Sequence, residues 1–152
     1  MQETQEQVAE VVVETILGEG AQEPTYATPG SAGMDLRISE DVTIEPMQRV
    51  LAKTGLKMAI PQGFEGQVRP RSGLAIKHGL ALVNSPGTID SDYRGEIGVI
   101  MINLGQETIS LSKGDRVAQL VIVPVIQARV TIVNELTDTD RGDGGFGSTG
   151  SG

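Results

Sequence analysis

Short runs rich in Val, Ile and Leu, broken by Gly and Pro, set the hydrophobic pattern of this chain. Runs of this length that alternate with polar residues and end at turn formers predict β-strands. They fall at residues 42–44, 49–60, 65–69, 80–83, 97–102, 108–111, 116–125 and 129–133. Residues 8–17 fit a strand or a short helix by pattern, and three consecutive Val decide for a strand. Residues 31–38 (SAGMDLRI) read as a small-residue turn leading into alternation. Residues 19–31, with Gly20, Pro24, Pro29 and Gly30, read as a loop. One helical turn is expected at residues 72–77, ended by Gly79, with the lone His78 in a C-terminal capping role. Regularly spaced short strands with Gly/Pro turns predict an all-β sandwich or barrel.

The chain has 152 residues, with no internal repeat and no evident linker, which predicts one domain. Its first seven residues are polar and expected to be mobile. Aromatics are scarce (two Tyr, two Phe, no Trp), so the core has to be packed from aliphatic side chains. Met47, Met58 and Met101, in or beside apolar runs, are expected to fill it. So little bulk per residue favours burial against sister subunits. The absence of Cys excludes disulfides and thiolate metal sites. No apolar run reaches membrane-spanning length and no secretory pattern opens the chain, so a cytoplasmic protein without membrane contact is expected.

The net charge of −8 is unevenly spread. Glu3, Glu6, Glu10, Glu14, Glu19 and Glu23 precede Pro24, and no Lys or Arg does. The rest of the chain is close to balance, and Arg69, Arg71, Arg94, Arg116 and Arg141 lie in or beside glycine-containing loops. A planar guanidinium suits phosphate oxygens. No broad basic stripe is present, so a small anionic ligand fits better than stable nucleic-acid binding.

Two stretches carry more chemistry than their predicted structure requires. Between the runs at 80–83 and 97–102 stand Asn84, Pro86, Gly87, Asp90, Asp92, Tyr93 and Arg94, whereas a plain hairpin would need only turn formers. Near the end, residues 141–150 (RGDGGFGSTG) combine Arg141, a lone Phe146 and the donors Ser148 and Thr149 with flexible glycines whose N–H groups can converge on an anion. No Lys and no helix follow, so this is not a nucleotide-binding P-loop.

Five segments, in order, carry a resemblance: AGMDL from Ala32, PRSGLA from Pro70, GTIDSDYRGE from Gly87, GDRVAQL from Gly114 and RGDGGFGSTG from Arg141. On these motifs the chain resembles the trimeric all-β dUTPase family (deoxyuridine triphosphate nucleotidohydrolases). The resemblance implies a distorted jelly-roll or β-barrel with one short helix, spanning residues 1–136, and a flexible Gly-rich arm at 137–152 that closes the active site. It implies a homotrimer with shared sites, each built from several chains.

The resemblance also implies roles for particular residues. Asp90 would be the catalytic carboxylate, activating the water that attacks the α-phosphorus of dUTP to give dUMP and pyrophosphate. Carboxylates are weak bases, so such a residue serves as much by orienting water as by taking its proton. As a turn residue Asp92 fits as well as Asp90, and the family match alone separates the two. Tyr93 would pack against the sugar and exclude a 2′-hydroxyl, while Asn84 and the backbone at Gly87 and Ile89 would read the uracil edge. Arg71, Ser72, Gly73 and Gln119 would meet the phosphates, with Arg71 alternatively holding Asp90. Asp35 would reach Mg²⁺ through water, the ion being carried mainly by the triphosphate. Arg141 would meet the γ-phosphate, Phe146 would stack on uracil, and Gly147, Ser148 and Thr149 would bind phosphate oxygens.

Two rivals remain. A dCTP deaminase of the same fold would carry a glutamate on the strand after the hairpin, where Ile100 stands. A non-catalytic dUTP-binding scaffold would have little use for Asp35, Asp90, Tyr93, Arg141 and Phe146 together, and all five are present.

Overall fold

The computed structural model describes residues 8–147 and 150. Among them, strands β1 (Glu14–Leu17), β2 (Thr25–Tyr26), β3 (Met34–Arg37), β4 (Val42–Ile44), β5 (Arg49–Ala59) and β6 (Phe64–Pro70) precede one helix, α1 (Ser72–His78). Strands β7 (Leu80–Leu82), β8 (Gly87–Ile89), β9 (Glu96–Asn103), β10 (Ile109–Leu111) and β11 (Arg116–Pro124) follow it. The chain is all-β, as the spacing of apolar runs predicts. One sheet has the order β1-β5-β9-β7, a second the order β2-β3-β11-β6-β8, and β10 pairs with β4 alone. Every pairing is antiparallel.

The core follows from a period of two along the longest strands. Along β9 (EIGVIMIN), Ile97, Val99 and Met101 are buried and their neighbours are not. Leu56 and Met58 of β5, Leu36, Val68 and Leu120 join them in one aliphatic cluster. No aromatic side chain is among its buried members, and Phe64 packs half-buried at its margin. Met58 and Met101 fill the core as expected, but Met47 is exposed, at a turn with φ +67°.

Several elements depart from the pattern. Only Glu14–Leu17 of the N-terminal run pairs, because β5 offers partners to those four residues; residues 8–13 add none. The loop at 19–31 contains β2, held by β3. The run at 129–133 makes no strand, and Val130 and Ile132 are exposed with no sheet edge beside them. The helix is ended by Gly79, whose left-handed backbone (φ +69°) lets its N–H reach the Ala75 carbonyl, so the cap is glycine rather than His78. Residues 80–83 and 97–102 do pair, with Leu82 opposite Met101, but the connection between them crosses to the other sheet, where β8 pairs with β6. The predicted hairpin is therefore a bridge between the two sheets.

Asn103 is buried at the end of β9, and its amide donates to the carbonyls of Ile44 (2.9 Å) and Glu107 (2.7 Å) and accepts from Gly105 N–H (2.9 Å). Replacing it with Ala leaves all three backbone groups without these partners. Asn103→Ala is therefore expected to lower the unfolding free energy by about 3 kcal/mol. Urea denaturation at fixed protein concentration checks this, and a loss below about 0.5 kcal/mol, typical of a surface change, would contradict it.

Candidate active site

The register of β11 brings the first group of candidate residues together. Gln119 lies opposite Asp35 of β3 on one side and Arg69 of β6 on the other. Its amide donates to the Pro70 carbonyl at 3.1 Å, tying it to the segment that leads into α1. A Cβ on Gly33 would stand 2.5 Å from Gln119 Oε1 and 3.1 Å from Gln119 Cβ, so glycine there leaves the space this side chain fills. Arg71 follows β6 directly. Its Nε lies 4.0 Å from Asp35 Oδ1, and its Nη1 donates to the Arg116 carbonyl at 3.3 Å. Arg116 Nη1 lies 3.4 Å from Asp35 Oδ2.

Ser72 opens α1 with no side-chain cap and no acidic residue in the first turn, which leaves early N–H groups of the helix without an internal acceptor. A Cβ on Gly73 would meet nothing within 4 Å, so packing within one chain gives no reason for glycine there. Close approach of a ligand to the backbone would.

The second group surrounds the bridge between the sheets. A cleft of about 170 Å³ is lined by Thr88, Ile89, Asp90, Tyr93, Glu96, Ile97 and Gly98. The Tyr93 N–H donates to the Asp90 carbonyl at 3.2 Å, forming the turn, and the Tyr93 hydroxyl donates to the Glu96 carbonyl at 2.8 Å. The ring lies so close over Gly95 that a Cβ there would sit 2.5 Å from its hydroxyl oxygen. Tyr93 is thus pinned at its tip yet 45% exposed, with ring surface left open. Arg94 is spent on the turn itself, donating to the carbonyls of Ser91 and Tyr93.

Asp90 and Asp92 are both exposed. Asp90 faces the first cleft, whereas Asp92 lines a separate one with Val12, Glu14, Pro61 and Arg94. The Asp90 carboxylate has no hydrogen-bond partner among the described residues. Gly87 and Ile89 belong to β8, the last strand of its sheet, so one edge of their backbone carries no neighbouring strand. Asn84 is exposed just before them, its amide nitrogen 3.2 Å from where a Gly87 Cβ would stand.

The third group is the C-terminal arm. Arg141 Nε donates to the Gly144 carbonyl at 2.7 Å, and the Gly142 N–H reaches Thr139. Phe146 is fully exposed, at φ +51°, and Gly147 follows at φ +85°. Ser148 and Thr149 lie outside the described residues.

No hydrogen bond or ion pair among the described residues joins one group to another. Arg71 reaches Asp35 and Arg116, and no contact of its guanidinium with Asp90 is present. The sequence marks Arg116 only as a cation near a glycine, and on a regular strand its three-residue spacing from Gln119 points to the opposite face. Glu96, whose carbonyl holds Tyr93, gave no clue, because a backbone acceptor leaves no mark on residue type.

The family model for dUTPase matches residues 19–150. The deoxyuridine 5'-triphosphate nucleotidohydrolase of Anaeromyxobacter sp. (strain Fw109-5) is 59% identical over 127 residues, covering 84% of this chain and 86% of the relative. That of Desulfotalea psychrophila is 61% identical over 129 residues, with the same two coverages. Among solved structures, a variant of the Staphylococcus bacteriophage 80alpha dUTPase with dUpNHpp superposes with a TM-score of 0.86 at 27% identity, over 91% of this chain and 98% of that one. A variant dUTPase from phage phi11 of S. aureus, described with a structural Mg(II) ion, gives 0.77 at 27% identity, over 82% and 98%. The chain belongs to the dUTPase family.

Proposed function

We propose that this chain hydrolyses dUTP to dUMP and pyrophosphate by attack of a water, oriented by Asp90, on the α-phosphorus. The observation that carries the mechanism is the Asp90 carboxylate: exposed at a cleft shared with Tyr93, and engaged by no other described side chain. Such a group is free to take one hydrogen bond from a water and to accept its proton as the new P–O bond forms. The α–β bridging bond then breaks, and pyrophosphate leaves.

Uracil is read by the Asn84 amide and the free backbone edge at Gly87 and Ile89, which together can match its donors and acceptors and mismatch those of cytosine. The Tyr93 ring, held by Glu96 and Gly95, packs against the deoxyribose and leaves no room for a 2′-hydroxyl. Arg71, Ser72, the Gly73 backbone and Gln119 bind the phosphates.

The donor set fits magnesium that arrives on the nucleotide. No cluster of three or more possible metal ligands exists among the described residues, and a single carboxylate, Asp35, stands beside the phosphate-binding cations. Asp35 would hold the hydrated ion through its waters, in keeping with magnesium's reluctance to dehydrate. Bound there, the ion would supply charge neutralisation to the triphosphate.

Within one chain no hydrogen bond or ion pair among the described residues links the three groups of site residues, which supports a site completed by neighbouring copies in a homotrimer. Ile126, Val130, Ile132 and Leu136 stand exposed along the segment leading to the arm, apolar surface that a neighbour would cover. Residues 137–152 then close over the nucleotide as a lid, Arg141 on the γ-phosphate, Phe146 on uracil, and Gly147, Ser148 and Thr149 on phosphate oxygens. Excluding water in this way strengthens every polar contact inside. The substrate is a soluble nucleotide, and the proposed working compartment is the cytoplasm.

Pyrophosphate release from dUTP, dCTP, dTTP and UTP with Mg²⁺ tests the reading. Hydrolysis of dUTP alone is expected, with Asp90→Asn lowering kcat by about 10³-fold while dUTP still binds; an active Asp90→Asn enzyme would contradict the role given to Asp90. Ammonia release from dCTP would show a deaminase instead, and binding without turnover a scaffold. Tyr93→Ala is expected to raise the UTP/dUTP ratio of kcat/KM by about tenfold, and an unchanged ratio would remove Tyr93 from sugar selection. Truncation after Thr139 should leave a folded trimer with little activity, read by light scattering and turnover; full turnover would sink the lid.

A further inference from the structure

The pairing of β11 with β3 is interrupted at one point. Arg116 stands opposite Arg37, whereas Ala118 stands opposite Leu36, so two steps along β11 match one along β3. Val117 is the extra residue of a bulge. Successive residues of a regular strand face opposite sides, yet Val117 and Ala118 are both buried. Residues three apart would likewise face opposite sides, yet Arg116 and Gln119 both meet the Asp35 cluster. The bulge has turned Arg116 out of the alternation and onto the phosphate side of the site.

There Arg116 makes two contacts of different kinds. Its guanidinium lies 3.4 Å from Asp35 Oδ2, and its carbonyl accepts from Arg71 Nη1 at 3.3 Å. Arg71 itself stands 4.0 Å from Asp35 Oδ1, beyond hydrogen-bond range. Arg116 is therefore the cation that hydrogen-bonds Asp35, while Arg71 is attracted to it only through space. Asp35 is half-buried, with 16% of its side chain exposed, so losing all its cations would carry a cost. With Arg116 in place, Arg71 can pass to a phosphate without leaving Asp35 unpaired.

We propose that Arg116 is a positioning residue: its side chain fixes the Asp35 carboxylate so that Oδ1 remains available to the hydrated magnesium of the incoming nucleotide. The inference rests on the assignment of Asp35 to the metal side of the site. Arg116 is 43% exposed, so its pair with Asp35 adds little to stability, and its removal acts on ligand binding.

Calorimetric titration with a non-hydrolysable dUTP analogue, α,β-imido-dUTP, with and without Mg²⁺, tests this. Wild type should bind the magnesium-loaded analogue more tightly than the free one. Arg116→Gln should weaken magnesium-loaded binding by about tenfold and metal-free binding by less than about twofold, since the carbonyl that holds Arg71 is untouched. Arg116→Lys should recover most of the loss, and Arg116→Gln should cost nothing further in an Asp35→Asn background. Equal losses with and without Mg²⁺, or additive losses in the double variant, would overturn the proposal. Should Arg116→Gln fail to fold, Arg116→Met, which keeps the aliphatic stem, gives the same comparison. If Asp35→Asn keeps the magnesium effect, the metal role of Asp35 falls and this inference with it. If Asp35→Asn loses the effect while Arg116→Gln keeps it, the inference alone falls.

Discussion

Strand β11 is paired along both of its edges, and the cluster of Asp35, Arg71, Arg116 and Gln119 depends on that register. Gln119 is fixed between Asp35 and Arg69 because antiparallel pairing allows no sliding while Leu120 must stay in the core. A slip of one residue would carry Gln119 inward and Leu120 out. The burial of aliphatic side chains therefore holds the polar constellation in place, and the bulge at Val117 adds Arg116 without disturbing the rest. Gly33 completes the arrangement by leaving room for the Gln119 side chain.

The other half of the chemistry hangs on the crossing between sheets. β7 and β9 lie in one sheet and β8 in the other, so the segment carrying Asp90 and Tyr93 is anchored at both ends to different walls of the core. That double anchorage holds an exposed turn in a defined shape, with Tyr93 tied to Glu96 and Arg94 closing the loop on its own carbonyls. It also separates Asp90 from Asp92, which the sequence alone leaves equivalent: one faces the cleft with Tyr93, the other a different depression.

Much of this was legible in the sequence because period-two alternation and Gly/Pro punctuation report directly on pleat and turn. β5, β9 and β11 follow from their apolar pattern, and Gly79 marks the end of α1 by its backbone freedom. What was not legible depends on partners distant in sequence. The run at residues 129–133 has strand composition, yet a strand exists only beside another edge, and one chain offers it none. Met47 sits beside an apolar run but at a turn that faces outward. β8 is too short to show a period, and the bulge that redirects Arg116 leaves only the unusual neighbours Val117 and Ala118 as its trace. The motif residues were recognisable one by one, whereas their separation into three groups required the fold.

On that grouping rests the proposal that one working site draws on more than one copy of the chain. Mixing two inactive variants tests it. Asp90→Asn removes the carboxylate proposed to orient water, and truncation after Thr139 removes the arm proposed to close the site. Unfolded together and reassembled, they should recover part of the wild-type dUTP turnover, because some mixed trimers would place an intact Asp90 under an intact arm. If the mixture stays as inactive as either variant alone, although mixed assemblies form, each site is complete within a single chain and the account is wrong.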